Sequence, residues 1–72
     1  MTKVIVGKCL LLKILRSKHM TQADLSVLTG ISTTQISEYI NNTRKMSLPN
    51  AILISYILRV NVQDLYEWKI KE

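Results

Sequence analysis

At 72 residues, 47% of them hydrophobic, the chain supports one thin core and leaves no volume for a second domain or a deep catalytic cleft. Ten Lys and Arg against five Asp and Glu give a net charge of +5, a balance that favours a polyanion such as nucleic acid or an acidic membrane surface. Cys9 and His19 are the single cysteine and histidine, which excludes an internal disulfide and a multi-thiolate zinc site and fits a reducing, cytoplasmic compartment.

The charge is unevenly placed. Residues 1–20 hold Lys3, Lys8, Lys13, Arg16 and Lys18 and no acid, whereas residues 21–43 contain only Asp24 and Glu38; Arg44, Lys45 and Arg59 then restore positive charge. No apolar run exceeds four residues, far short of the ~20 that span a bilayer, so a soluble protein is expected. With two Gly and one Pro, strands joined by tight turns are disfavoured and the pattern reads as helical.

Leu10, Leu11, Ile14 and Leu15 form one stripe with Lys8, Lys13 and Arg16 off it, which predicts a first helix from residue 4 or 8 to residue 18. The β-branched Val4, Ile5 and Val6 fit a short strand or arm equally well. Thr21 and Asp24 have the spacing of a capping box, opening a second helix with Leu25 and Leu28 inward and ending at Thr29, where Gly30 accepts a left-handed turn. Ser32 caps a third helix over residues 33–41. Ile36, Tyr39 and Ile40 face inward on it, and Thr33, Thr34, Ser37, Glu38 and Asn41 share a small, polar outer side.

After a loop of Asn42, Thr43, Arg44 and Lys45, Ser47 caps a fourth helix over residues 48–58, with Pro49 in the first turn where its missing N–H costs nothing. That helix is apolar almost all round and is expected at the centre of the core. Asn61 and Asp64 then predict the cap of a fifth helix carrying Val62, Leu65, Tyr66 and Trp68. Two short helices on a glycine turn, the second polar outside, have the geometry that projects a helix into the DNA major groove. Leu25, Ile31, Ile36 and Tyr39 would lock the pair, and Ser26 is small where the helices cross; Thr29 is more polar than an inward site usually takes.

The run Thr21-Gln22-Ala23-Asp24-Leu25-Ser26-Val27-Leu28-Thr29-Gly30-Ile31-Ser32, followed by Ile36-Ser37, Asn41, Arg44 and Ser47-Leu48, resembles the Xre/Cro-repressor type helix-turn-helix family over about residues 10–66. The resemblance implies an all-α fold, the compact five-helix lambda-repressor-like domain, occupying residues 1–72 as a single unit with its helix-turn-helix at about 22–41. It also implies a regulator of phage or bacterial operators. Matched to the family's motif, Thr33, Thr34, Ser37 and Glu38 occupy the base-reading face, while Gln22, Asn41, Thr43, Arg44 and Lys45 occupy backbone-contacting positions. The chemistry agrees: Thr hydroxyls and methyls suit several base edges, Glu accepts from cytosine N4, and Arg and Lys neutralise phosphates without reading sequence.

Two departures from the family stand out. Leu15 and Ile40 are apolar where it often places a basic and an acidic residue, an exchange that packed aliphatics tolerate. The third helix has no Arg or Lys and carries Glu38, so affinity has to come from its flanks. The expected partner is double-stranded DNA with a palindromic operator, bound by a homodimer joined through residues 59–68, with no enzyme activity, cofactor, metal or membrane involved. The neutral third helix also suits a protein partner, as in an antirepressor or antitoxin of the same fold, and the basic, apolar first twenty residues suit a membrane-surface peptide.

Overall fold

Side-chain caps set the boundaries of the helices. In the computed structural model, which describes residues 1–72, the order is β1 (Lys3–Cys9), α1 (Leu11–Ser17), α2 (Gln22–Thr29), α3 (Thr33–Ile40), α4 (Leu48–Leu58), a 3-10 turn (Val62–Leu65) and β2 (Tyr66–Lys71). Thr21 Oγ1 accepts from the Asp24 N–H at 3.0 Å and Asp24 Oδ2 accepts from the Thr21 N–H at 2.9 Å, the reciprocal box that opens α2. Ser32 and Ser47 cap α3 and α4 by accepting from the N–H groups of Gln35 and Asn50. α1 lacks a side-chain cap, and its entry is held by the Leu10 N–H donating to the Leu65 carbonyl at 2.8 Å.

The five-helix, all-α expectation is corrected at both ends: there are four α-helices and a two-stranded antiparallel sheet. Val4, Ile5 and Val6 form strand, and the first helix begins at Leu11 rather than at residue 4 or 8. The basic first twenty residues are therefore no continuous amphipathic helix. Asp64 Oδ2 does accept from the Asn61 N–H at 3.0 Å, yet the element it caps is one turn long. Beyond it, Tyr66, Trp68 and Ile70 alternate with charged residues at the period of a strand and pair with β1. Val4 lies opposite Ile70 and Val6 opposite Trp68, so one face of the ribbon is apolar; Lys3 opposite Lys71 and Ile5 opposite Lys69 make the other largely basic.

The core comprises Leu11, Leu15, Leu25, Ile31, Ile36, Tyr39, Ala51, Ile54, Leu58 and Leu65. Losing one fully buried leucine, as in Leu25→Ala, costs about 2–5 kcal/mol, comparable to the ~3–5 kcal/mol that a domain of this size has available. Leu15 is wholly buried and Ile40 packs at the edge of the same core, so aliphatic contact occupies the place of an ion pair. α4 contributes Ala51, Ile54, Ser55 and Leu58 to the interior, but it is not surrounded: Leu48, Ile52 and Tyr56 form an exposed stripe. Leu28 on α2, expected inward, is also exposed. A chain this short has too few elements to cover every apolar helix face.

Apart from Cys9, β1 is exposed along its length. The molecule measures 41 × 22 × 20 Å, and a strand of six or seven residues is about 20 Å long, so the ribbon stands off the helical body as an arm.

Candidate nucleic-acid interface

The angle between α2 and α3 is set by the turn. Gly30 has φ 76°, and its N–H donates to the Ser26 carbonyl at 2.8 Å. Ser26 Oγ donates to the Ile31 carbonyl at 2.6 Å, so its size and its hydroxyl both serve the crossing. Thr29 is explained in the same way: its hydroxyl donates to the Leu25 carbonyl at 2.8 Å and accepts from the Ile31 N–H at 3.2 Å. The Gly30 and Ile31 N–H groups and the Ser26 and Thr29 hydroxyls are thus all paired at this corner, which fixes α2 and α3 against each other.

α3 is anchored from behind. Ile36 and Tyr39 are buried, and the Tyr39 hydroxyl accepts from Gln35 Nε2 at 2.8 Å and Asn50 Nδ2 at 2.9 Å, tying α3 to the first turn of α4. On the opposite side, Gln22, Thr33, Thr34, Ser37, Glu38 and Asn41 line one shallow surface without an apolar residue. Thr33 and Thr34 are exposed; Gln22, Ser37 and Glu38 are half-buried. These are six of the nine residues singled out from sequence, gathered from two helices onto one face.

The other three lie in the loop after α3. The N–H groups of Thr43 and Arg44 and the Thr43 hydroxyl all reach the Glu38 carbonyl, at 3.0, 3.3 and 3.2 Å, folding the loop back on the helix end. Arg44 Nε donates to Glu38 Oε1 at 3.1 Å. The acid expected to repel phosphate therefore holds the arginine expected to bind it. Lys45 lies outside the Thr33 surface and lines a second hollow with Gly7, Lys8, Asn42, Arg44 and Tyr66.

Sequence reasoning missed what fixes this loop. Asn42 sits at φ 63° and its Oδ1 accepts from the Cys9 N–H at 2.8 Å, while the Met46 N–H donates to the Tyr66 hydroxyl at 3.0 Å. The available signal was the second asparagine of the Asn41-Asn42 pair, a residue that tolerates left-handed backbone. At the other end of the motif, the Thr21 backbone N–H, helped by the Thr21 side chain, holds the Asp24 carboxyl below the usual range. Half-burial pushes the Cys9 thiol up, which suits a packing residue rather than a nucleophile.

Two capped helices hinged on a left-handed glycine, with an open polar face on the second, define a helix-turn-helix DNA-binding protein. A sequence model of the Cro/C1-type HTH DNA-binding domain matches residues 11–71, and the chain belongs to that family. It is 42% identical over 73 residues to the SPbeta prophage-derived uncharacterized HTH-type transcriptional regulator YopS of Bacillus subtilis (strain 168), a match covering 99% of this chain and 97% of that protein. The crystal structure of the transcriptional regulator VanUg, Form II, has the same fold, with a TM-score of 0.71 at 20% identity over 94% of this chain and 89% of that one. No helix here is long and apolar enough to cross a membrane.

Proposed function

We propose that residues 1–72 act as one DNA-binding unit, a cytoplasmic, non-enzymatic repressor of phage type that reads a palindromic operator as a homodimer. Thr33, Thr34, Ser37 and Glu38 contact base edges, and Gln22, Asn41, Thr43, Arg44 and Lys45 hold the sugar-phosphate backbone. The observation that carries this is the face shared by α2 and α3: open, entirely polar, and backed by a helix immobilised through Tyr39. Membership of a DNA-binding family favours DNA over a protein as its occupant, and the likeness to a prophage-derived regulator supports the phage assignment.

The homodimer draws support from the ribbon. Val4, Val6, Trp68 and Ile70 are 46–60% exposed on one face, a patch of roughly 300–400 Å² that two copies bury against each other. At roughly 600–800 Å² in all, the contact falls below the ~1,000 Å² of a stable interface, so assembly is weak in free solution and is completed on DNA. Trp68 lies within the segment expected at the subunit contact.

Selection of bound sequences from a random duplex pool tests the reading. Enrichment of an inverted repeat with half-sites about 10 bp apart, or a multiple of that, is the expected outcome. A pool that stays unenriched while the protein remains folded refutes sequence-specific reading.

A further inference from the structure

We propose that Lys8 of β1 completes, with Arg44 and Lys45, a single clamp for a DNA backbone phosphate, aimed by the β-bulge at the base of the ribbon. This rests on the DNA-binding reading above and adds to it a residue from outside the helix-turn-helix.

Val6 pairs with Trp68 and Cys9 with Tyr66, so Gly7 and Lys8 together face Glu67 alone. Two residues against one is a bulge, which turns the side chain of the bulged strand out of the regular alternation. Gly7 permits it: a Cβ there would lie 3.0 Å from Glu67 Cβ and 3.3 Å from its Oε1. The result is that Lys8 shares a hollow with Arg44 and Lys45, whose other lining residues, Gly7, Asn42 and Tyr66, are uncharged. Glu67 lies across Gly7 from this hollow and lines the adjoining one with Ile5, Gly7, Trp68 and Lys69.

The frame around the hollow is fixed from both strands. β1 is bonded to the loop through the Cys9 N–H and Asn42, and β2 through Tyr66 and the Met46 N–H. Lys8 is therefore held in register with a loop that is itself folded onto the carbonyl of Glu38, at the end of the groove-entering helix. A phosphate flanking that groove meets three cations on a pre-set frame. α3 has no cation of its own, so positive charge beside it has to come from neighbouring elements such as this hollow.

The test measures affinity against salt for the full chain on a selected and a random duplex, comparing Lys8→Gln, Arg44→Gln, Gly7→Val and Lys3→Gln. Lys8→Gln is expected to weaken both duplexes alike and to reduce the salt slope by about 0.9, so that between roughly 50 and 200 mM salt its affinity falls about 3.5-fold less than that of the parent chain. Gly7→Val, with folding checked by circular dichroism, should lose the same slope although Lys8 is still present. Lys3→Gln, on the same strand beyond the bulge, should leave the slope unchanged. A parental slope in Lys8→Gln alongside a reduced one in Arg44→Gln overturns the clamp and leaves the DNA-binding reading intact. Equal losses in Lys3→Gln and Lys8→Gln overturn it in favour of a diffuse positive field. Absence of duplex binding by the parent chain at low salt overturns both.

Discussion

On the proposed assignment, Glu38 sets affinity and specificity against each other, and Glu38→Ala separates them. Its carboxylate accepts from Arg44 Nε at 3.1 Å, with the two side chains 39% and 55% exposed. So open a pair is worth about 0.2–1 kcal/mol, and the arginine surrenders that much whenever it turns to a phosphate. Removing the acid should therefore tighten binding to random duplex by about 1.4- to 5-fold. The same change removes an acceptor for cytosine N4, which costs about 1–3 kcal/mol at the cognate base pair. Freeing the arginine helps both duplexes alike, so the preference for operator over random duplex should fall by the base contact alone, about fivefold or more. Fluorescence anisotropy with two labelled duplexes at fixed salt reads both quantities. Unchanged discrimination, or random-duplex binding no tighter than in the parent chain, would refute the assignment of both roles to this side chain.

Gly30 and His19 both have left-handed backbone, at φ 76° and 56°, and a Cβ on Gly30 would meet nothing within 4 Å. Gly30→Ala should therefore lose about 0.5–1 kcal/mol and His19→Gly gain as much, shifts of roughly 2–8 °C in opposite directions by thermal melting. Asp24, whose carboxyl is depressed by the Thr21 N–H, contributes stability above the unfolded carboxylate value of about 4 that is lost as pH falls through its lower folded value. Urea midpoints for Asp24→Asn should accordingly fall less steeply with acid than those of the parent chain. Ile70→Lys charges the apolar ribbon face opposite Val4; sedimentation on a two-half-site duplex should show one copy bound where the parent chain places two, with single half-site affinity retained.

Legibility from sequence followed the range of the interaction. Thr21 with Asp24, Gly30, Ser32 and Ser47 were readable because each is a bond or a backbone conformation completed within a few residues. The face of Thr33, Thr34, Ser37 and Glu38 was readable because helical spacing alone puts it opposite Ile36 and Tyr39. A strand at Val4–Val6 was one open alternative, but its partner was not legible, since Val6 meets Trp68 across 61 intervening residues and the Asn61 cap suggested a helix that stops after one turn. α4 was misjudged for another reason: composition reports how apolar Leu48, Ile52 and Tyr56 are, but not whether neighbours exist to cover them. Lys8, placed only off the apolar stripe of the first helix, was not legible as a neighbour of Arg44 and Lys45, because that proximity depends on a bulge, a property of the pairing and not of either strand.

The distance along the chain between the two strands also has a kinetic meaning. Lys3 pairs with Lys71, so the ribbon closes only after nearly the whole polypeptide is available, and such distant closure is slow and entropically costly. α2 and α3 need only their own turn and a neighbouring helix. The helix-turn-helix is thus expected to form ahead of the arm that abuts its loop, and in the native state the arm should be the first to exchange its amide protons with solvent.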